Sequence, residues 1–293
     1  MNSHQHAIGV DIGGTSIRAA RVSRDGKIID QASAATANSG ELVLAQLDAL
    51  LAALDQPSVI AIGIGVPSPV DSRTGEVFRG GFVDLSGPPL VTRLKNTGGR
   101  PVVSDNDGTM ALLAEARIGA ARGRCHIVML TIGTGIGGAA MLDGKIVRGR
   151  ATAGELGHIC VDMNGLLCVC GRQGCFETLS SGTALRRHIA EAGLRADCNA
   201  ESLLARRDAT ARAVIERWIR PLRSGIDSLV AILDPEVVVL GGGLGHAACA
   251  ALADFPARST WFQCPVVPAE LGSGAGVIGA ALAAFERMPQ HQE

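Results

Sequence analysis

Hydrophobic and polar positions follow two periods along the chain, one typical of strands and one typical of helices. Short apolar runs bounded by turn residues indicate buried strands, and apolar positions every three to four residues indicate amphipathic helices. The pattern predicts strands at Ala7–Ile12, Ile17–Val22, Lys27–Ala32, Val59–Val66, Pro101–Ser104, Ile127–Thr131, Gly138–Leu142 and Glu236–Leu240. It predicts helices at Glu41–Leu54, Asp107–Ala120, Ser181–Ala192, Thr210–Leu233 and Gly274–Arg287. Strands that alternate with helices predict an α/β protein.

A strand, a turn and a hairpin occur twice, at Ala7–Ala32 and at Ile127–Ile146. The turn between Ile17–Val22 and Lys27–Ala32 contains Asp-Gly, a pair that favours a β-hairpin. This repetition predicts two related lobes with a ligand held in the cleft between them.

Charge and hydropathy exclude several classes of protein. The net charge of −1 disfavours nucleic-acid and membrane-surface binding, which usually require a basic excess. The longest stretch without a polar side chain, Gly274–Phe285, is far shorter than the ~20 residues of a membrane span. The polar start, Met1–His6, lacks the apolar centre of a signal peptide, so we expect a cytoplasmic protein.

Glycine accounts for 38 of the 293 residues, about twice the usual share, and the glycines cluster in turns. In the first turn, Gly13, Gly14 and Thr15 can bring backbone N–H groups and a hydroxyl to a phosphate, and Asp11 can hold Mg²⁺ through water. The second repeat has an equivalent set, formed by Thr131, Gly133, Thr134, Gly135 and Gly137. The alternative is that both are ordinary hairpin turns.

A third cluster follows a predicted buried strand, where Gly242 and Gly243 would leave room for a nucleotide's base or ribose. The alternative is a simple turn that leads into a helix. None of the clusters has the Gly-Lys-Ser/Thr of a P-loop, and none has the dinucleotide-binding spacing in a strand–helix context.

Asp107 lies between a strand and a helix and is the candidate general base. The helix dipole favours an ionised carboxylate at a helix N-terminus, and such a group can accept the proton of an attacking hydroxyl. The neighbouring Asn106 is a candidate hydrogen-bonding group for a sugar. The alternative is that Asp105 or Asp107 only caps the helix.

Three of the eight cysteines crowd into one segment, which suggests a metal site. Cys168, Cys170 and Cys175 with His158 form a Cys₃His set, suited to a closed, structural zinc ion. The alternative is three free thiols and a surface histidine. The remaining, scattered cysteines are expected to be core or incidental positions: Cys125, Cys160, Cys198, Cys249 and Cys264.

Glu155 precedes His158 by three residues, and Glu177 follows Cys175 by two. A loop fixed by metal would hold the two carboxylates near one another, where they can accept hydrogen bonds from sugar hydroxyls. The alternative, favoured by general composition statistics, is two solvated surface glutamates.

These motifs together resemble the ROK family of sugar kinases and repressors over Asp11–Phe285. Glu155-Leu156-Gly157-His158 is similar to its Glu-x-Gly-His motif, and residues 168–177 are similar to its zinc signature. Asn106-Asp107 is similar to the Asn-Asp pair of the family, and the first two glycine turns are similar to its ATP-phosphate motifs.

The resemblance implies an actin-like, hexokinase-type (ribonuclease H-like) fold of two lobes with a cleft between them. Residues 1–116, completed by the helix at about 274–293, would form the smaller lobe, and residues 117–273 the larger lobe with zinc loop, nucleotide site and dimer interface. The implied activity is ATP- and Mg²⁺-dependent phosphorylation of the 6-hydroxyl of a hexose or N-acetylhexosamine. Asp107 would be the base, and the sugar would be held by Asn106, Glu155, His158 and Glu177. A homodimer is expected.

Two departures affect the sugar loops. Ser68 stands in Pro67-Ser68-Pro69 where the family often has Pro-Gly-Pro. The usual Asn of an Asn-Leu-Pro-Gly motif is missing, and Asp84 is the residue expected to replace it. Both enter the predicted substrate-binding set, and the identity of the sugar stays open among glucose, an N-acetylhexosamine and less common hexoses.

Two other functions compete with the kinase. A sugar-sensing repressor of the same family would carry an N-terminal DNA-binding unit, for which the early first strand is expected to leave no room. An actin-like structural ATPase would not be expected to carry the cysteine loop or the Glu155/His158 pair.

Overall fold

The structure, a computed structural model, describes residues 5–71, 73–206, 208–261 and 263–287. Its strands are β1 (His6–Ile12), β2 (Ser16–Ser23), β3 (Ile28–Ala35), β4 (Val59–Val66), β5 (Val102–Asn106), β6 (Ile127–Ile132), β7 (Ile136–Leu142), β8 (Lys145–Ile146), β9 (Val237–Gly241) and β10 (Val266–Pro268). Its helices are α1 (Gly40–Leu54), α2 (Leu90–Arg93), α3 (Asp107–Ile118), α4 (Glu177–Ser180), α5 (Gly182–Glu191), α6 (Ala200–Ala205), α7 (Ala209–Leu233), α8 (Gly245–Leu252) and α9 (Ala275–Glu286). Short 3₁₀ turns lie at Leu156–His158 and Gly272–Gly274.

The α/β class is confirmed, and every predicted strand and helix is present with its ends shifted by a few residues at most. Helices of eight residues or fewer and strands of two or three residues were not predicted, because they carry too little periodicity. They are α2, α4, α6, α8, β8 and β10.

Residue contacts divide the chain into two compact units. Unit 1 comprises residues 1–122, 148–153 and 273–293, and unit 2 comprises residues 123–147 and 154–272. The predicted lobe boundaries include residues 1–4 and 288–293, which lie outside the described residues.

Unit 1 contains a five-stranded sheet with the order β3-β2-β1-β4-β5. The hairpin strands β1, β2 and β3 pair antiparallel, whereas β4 and β5 add to β1 in parallel. The apolar face of α1 is buried at five positions with helical spacing: Val43, Leu47, Leu50, Leu51 and Leu54.

The apolar helix α9 packs directly on the sheet of unit 1 and on α3. A Cβ atom on Gly63 of β4 would overlap the backbone of Ala280, and one on Gly279 would overlap the backbone of Met110. These glycines therefore allow backbone to approach backbone at the layer contact. With 12 residues, α9 is a core helix, and among the described residues no helix is long and apolar enough to cross a membrane.

Unit 2 repeats the plan of unit 1. Its sheet has the order β10-β9-β6-β7-β8, in which β6, β7 and β8 pair antiparallel and β9 and β10 add in parallel. The central strand of each sheet is thus followed by a glycine turn and a hairpin partner. The internal repetition predicted from the sequence is confirmed at the level of strand order, as expected for a two-lobed actin-like fold.

A buried tryptophan and a buried phenylalanine anchor the chain that follows the cysteine segment. Trp218 of α7 donates its ring N–H to the carbonyl of Ser180 at 2.7 Å, and the Ser180 hydroxyl donates to the Trp218 carbonyl at 2.7 Å. Phe176 is fully buried and packs against α7 at Gly225, where a Cβ would lie 2.9 Å from its ring. Glu177, which lies between these two anchors, is therefore on a fixed stretch of backbone.

Candidate functional site

The first glycine turn joins β1 to β2 and is held by the end of β3. The hydroxyl of Thr36 donates to the carbonyl of Gly13 at 2.6 Å, and its N–H donates to the carbonyl of Thr15 at 3.1 Å. The ring of Phe82 lies 3.4 Å from the position that a Cβ on Gly14 would take. The predicted residues of this turn are thus in a rigid hairpin, as both interpretations of the sequence required.

Asp11 is 8% exposed and lies at the N-terminus of α9. A Cβ on Gly276 would be 2.6 Å from the carboxyl carbon of Asp11, and Arg18 lies 3.1 Å from its Oδ2. Burial raises the pKa of Asp11, and the Arg18 guanidinium opposes that rise. The helix dipole and the arginine both favour the ionised form that a magnesium-bound water would require.

The segment Asn106-Asp107 lies at the junction of β5 and α3. The side-chain oxygen of Asn106 accepts from the N–H of Gly108 at 2.9 Å, so Asn106 is the cap of α3. The alternative that Asp105 or Asp107 provides this cap is therefore wrong. The Oδ1 atom of Asp107 accepts from the same N–H at 2.7 Å, which places its carboxylate at the first turn of the helix.

Asp105 hydrogen-bonds to the backbone just before Asp107. Its Oδ1 accepts from the N–H of Asn106 at 2.9 Å, and its Oδ2 lies 2.9 Å from Nε of Arg148. The Asp105 side chain is only 10% exposed and that of Arg148 is 33% exposed. Sequence reasoning missed this pair, because 43 residues separate the two partners.

The two departures from the family pattern lie in loops of unit 1 and bond to their own loops. Ser68 is 1% exposed, and its hydroxyl donates to the carbonyl of Gly80 at 3.0 Å. Asp84 is exposed and accepts from the hydroxyl of Ser86 at 2.5 Å and from its N–H at 3.0 Å. The Ser86 hydroxyl and N–H lower the pKa of Asp84.

The second glycine turn, in unit 2, joins β6 to β7 and is fastened by the start of α5. The N–H of Gly182 donates to the carbonyl of Gly133 at 2.7 Å, and the hydroxyl of Thr183 donates to the carbonyl of Thr134 at 2.9 Å. A Cβ on Gly182 would lie 2.6 Å from that Gly133 oxygen. The contact between helix and turn therefore requires glycine at position 182.

Glu177 contacts the same turn where the turn leads into β7. Its Oε2 accepts from the N–H of Ile136 at 2.7 Å, and a Cβ on Gly135 would lie 2.5 Å from that oxygen. The carboxylate therefore covers the turn closely, and 41 residues separate the bonded pair. The sequence predicted Glu177 for the sugar and gave no sign of this second contact.

The predicted nucleotide glycines of unit 2 differ in what surrounds them. Gly242 has φ +76°, and a Cβ there would lie 2.5 Å from the carbonyl oxygen of Ile132, so both conformation and space require glycine. Gly137 faces the hydroxyl of its strand partner Thr131. Beside Gly133 and Gly243, by contrast, a Cβ would meet no described atom within 4 Å. The third cluster also leads into α8, so the helix-turn alternative holds as well.

The ligand atoms of His158, Cys168, Cys170 and Cys175 all lie within 4.8 Å of one another. Nδ1 of His158 is 3.4 Å from Sγ of Cys168, and the Sγ atoms of Cys170 and Cys175 are 3.6 Å apart. A tetrahedral zinc ion with bonds of 2.0–2.3 Å separates its ligand atoms by about 3.5–3.8 Å. The four side chains therefore fit such an ion.

The three thiols of the cluster differ in their pKa values. Burial raises the pKa of Cys175 to about 12 and also raises the pKa of Cys168. The backbone N–H of Arg172 lowers the pKa of Cys170 to about 7. Two buried thiols become thiolates only beside a strong positive charge, which a bound metal supplies. Of the other cysteines, Cys198, Cys249 and Cys264 are partly buried against the hydrophobic core of unit 2, and Cys125 and Cys160 are exposed, in keeping with the expectation of core or incidental positions.

Glu155, His158 and Glu177 come together beside the cysteine cluster. Nε2 of His158, the ring nitrogen remote from Cys168, lies 3.8 Å from Oε2 of Glu155. Burial of the carboxyl group raises the pKa of Glu155, His158 lowers it, and the Glu177 carboxylate raises it further. The Glu177 carboxylate is thus one of the charges that act on Glu155, and hydrogen-bond donors would stabilise both groups.

Comparison with known proteins agrees with these motifs. The model of the ROK family matches residues 7–287. A glucokinase of Thermotoga maritima is 34% identical, over 96% of this chain and 98% of that protein. An N-acetylmannosamine kinase of Yersinia pseudotuberculosis is 32% identical, over 94% of this chain and 97% of that protein.

Among solved structures, a ROK family glucokinase from Streptomyces griseus in complex with glucose and AMPPNP superimposes with a TM-score of 0.84. It is 31% identical, and the match covers 96% of this chain and 99% of that one. The family match spans nearly the whole chain and includes both glycine turns, the Asn106-Asp107 pair and the cysteine cluster. This protein therefore belongs to the ROK family.

Proposed function

We propose that this protein is an ATP-dependent sugar kinase that transfers the terminal phosphoryl group of ATP to the 6-hydroxyl of a hexose or N-acetylhexosamine. The observation that carries the proposal is the pair of carboxylates, Glu155 and Glu177, held together beside the metal-ligand cluster. Two fixed acceptors suit a ligand that is rich in hydroxyl donors. Relatives over nearly the full chain include both a glucokinase and an N-acetylmannosamine kinase.

Asp107 is the proposed general base. As the sugar oxygen forms its bond to the γ-phosphorus, the hydroxyl proton passes to Asp107, and the bond to the β-phosphate oxygen breaks to leave ADP. Its place in the first turn of α3, where the dipole favours the ionised form, supports this role. Because the side-chain oxygen of Asn106 is bonded within the cap, its amide NH₂ is the group proposed to bind the sugar.

Glu155, Glu177 and His158 are the proposed sugar-binding groups of unit 2. The raised pKa of Glu155 reflects mainly the burial of its carboxyl group, and the Glu177 carboxylate adds a smaller contribution in the same direction. Sugar hydroxyls that donate to both groups would stabilise their charged forms. Nε2 of His158 points to the Glu155 side and can bond to the same ligand.

The glycine turns are the proposed nucleotide-binding elements. In unit 1 these are Gly13, Gly14 and Thr15, with Asp11 holding a water of the Mg²⁺ that accompanies ATP. In unit 2 they are formed by Thr131, Gly133, Thr134, Gly135, Gly137, Gly242 and Gly243. The open space beside Gly133 and Gly243 supports their direct approach to the ligand.

The Cys₃His cluster is the proposed site of a structural zinc ion. Four protein ligands leave no position for a reacting water, so the ion would supply rigidity to the loop between His158 and Cys175. That loop precedes Phe176 and Glu177, so the ion would help to fix the carboxylates that bind the sugar.

Ser68 and Asp84 complete the proposed substrate-binding set, in the loops of unit 1. Ser68 is buried and bonded to Gly80, and Asp84 is exposed and bonded to Ser86. The cytoplasmic location and the homodimer expected from the family resemblance stay predictions.

A coupled assay of ADP release across hexoses and N-acetylhexosamines tests the proposal. We expect Mg²⁺- and ATP-dependent turnover with at least one sugar of this panel. The matched control is the 6-deoxy analogue of the best substrate, which should bind but release no ADP. Equal ADP release with the 6-deoxy analogue, or none with every sugar, would contradict the proposal.

A further inference from the structure

The second glycine turn is held by one short segment that directly follows the cysteine cluster. This segment, residues 177–183, comprises α4 and the start of α5, and we call it the brace. Glu177 bonds to the N–H of Ile136, Gly182 bonds to the carbonyl of Gly133, and Thr183 bonds to the carbonyl of Thr134. All of these contacts lie within unit 2.

The brace determines which side of the turn presents N–H groups. The described backbone contains no cis peptide bond, so each N–H in the turn points opposite to the carbonyl of its own peptide. The Gly133 carbonyl shares a peptide with the Thr134 N–H, and the Thr134 carbonyl shares one with the Gly135 N–H. Because α5 takes both carbonyls, both N–H groups point away from α5. Successive N–H groups on one side of a turn form an anion-binding concavity.

Glu177 closes this concavity at the end where the turn leads into β7. By accepting from Ile136, its carboxylate removes the third N–H of the turn from contact with a ligand, and it lies against Gly135. The backbone of Glu177 is fixed by the buried Phe176 before it and by the Ser180–Trp218 bonds after it. The brace is thus anchored independently of the turn that it holds.

We propose that Thr183 and Glu177 are positioning residues for the nucleotide, which orient the N–H groups of Thr134 and Gly135 toward its phosphates. For Glu177 this role is separate from sugar binding. The inference rests on the proposed function, because it assumes that the turn binds nucleotide phosphate. It links the cysteine loop to nucleotide affinity through the chain from Cys175 to Glu177.

Calorimetric titration of the zinc-loaded full chain with MgADP, without sugar, tests the role of Thr183. Thr183→Val keeps the shape of the side chain and removes the hydroxyl donor at 2.9 Å, which leaves the Thr134 carbonyl only the longer backbone N–H bond of residue 183 at 3.3 Å. We therefore expect MgADP to bind about three- to tenfold more weakly. Thr183→Ser keeps the hydroxyl and should bind like the wild type. The matched control is Thr210→Val, since Thr210 is exposed and is likewise the second residue of a helix, α7.

The same titration separates the two roles of Glu177. Glu177→Gln keeps an acceptor oxygen for the Ile136 N–H, so MgADP affinity should stay near the wild-type value. Glu177→Ala should weaken MgADP binding by about three- to tenfold, provided that zinc content and melting temperature match those of Glu177→Gln.

The outcomes distinguish the inference from the function on which it rests. A wild type that binds no MgADP refutes the proposed function. A wild type that binds MgADP, with Thr183→Val and Glu177→Ala unchanged in affinity, overturns the brace alone. Weaker sugar binding in Glu177→Ala, with unaltered MgADP binding, would leave Glu177 as a sugar-binding residue only.

Discussion

Replacement of Arg148 by glutamine should release Asp105 from its ion pair and so loosen the segment that carries the proposed base, Asp107. In the wild type, Arg148 neutralises Asp105, whose side chain is only 10% exposed and whose other oxygen holds the N–H of Asn106. Without the guanidinium, the Asp105 carboxylate is left nearly buried with no cation at its Oδ2. Asp105 would then turn toward water, and the peptide before Asp107 would shift with it.

The size of the effect lies between two limits. Removal of one partner from a fully buried pair costs about 3–5 kcal/mol, whereas an exposed pair contributes about 0–1 kcal/mol. Since Arg148 is one-third exposed, water can partly replace it, and we expect a loss of about 1.5–2.5 kcal/mol. Displacement of the base should also lower kcat by about ten- to a hundredfold.

Urea unfolding and steady-state kinetics of a double-mutant cycle provide the assay. Asp105→Asn removes the charge but keeps an acceptor for Asn106, so Arg148→Gln should cost little in that background. The control is Arg195→Gln, because the Arg195–Asp197 pair is 83% and 65% exposed and should contribute almost nothing. If the losses from Arg148→Gln and Asp105→Asn simply add in the double variant, the ion pair does not couple them and the reasoning is refuted.

Three further changes test other parts of the structure. Cys170→Ser should lower the zinc content measured by metal analysis and reduce the melting temperature; wild-type values for both would remove the case for a structural metal. Gly242→Ala should weaken nucleotide binding by about tenfold or more, because the alanine would have to adopt a φ of +76° and place its Cβ 2.5 Å from the Ile132 carbonyl oxygen. Unchanged affinity would show that nucleotide binding does not depend on glycine at this position. Burial lowers the pKa of His188. Below about pH 6.5 the unfolded chain therefore binds a proton at this residue that the folded chain does not bind, and the free energy of unfolding falls as the pH drops through that range. His188→Gln should reduce this fall in melting temperature between pH 7.5 and pH 5; an identical fall would assign the acid sensitivity to other groups.

The order of strands and helices could be predicted from the sequence, because it is encoded in local patterns of hydrophobic and polar residues. Period-two and 3.6-residue periodicities located the long strands and helices, and the repeated strand–turn–hairpin unit anticipated two sheets of equivalent order. Cys168, Cys170 and Cys175 could be grouped because their spacing alone brings three thiols together. The structure adds His158 to that group at 3.4 Å, as predicted.

Contacts between distant parts of the chain were beyond the sequence. The Glu177–Ile136 bond spans 41 residues and the Arg148–Asp105 pair spans 43, and no local pattern marks either partner. At the start of α3, the sequence gave Asp105 and Asp107 as alternative caps, and only the backbone geometry shows that the cap is Asn106.

The central claim is that one aspartate activates a sugar hydroxyl for phosphoryl transfer, and Asp107→Asn tests it most directly. Asparagine keeps the oxygen that accepts from Gly108 but cannot take the proton, so the helix start should be preserved. With the best sugar of the panel, we expect kcat to fall by about a hundred- to ten-thousandfold while the dissociation constant of the sugar stays within about threefold. Turnover near the wild-type rate in this variant would contradict the account.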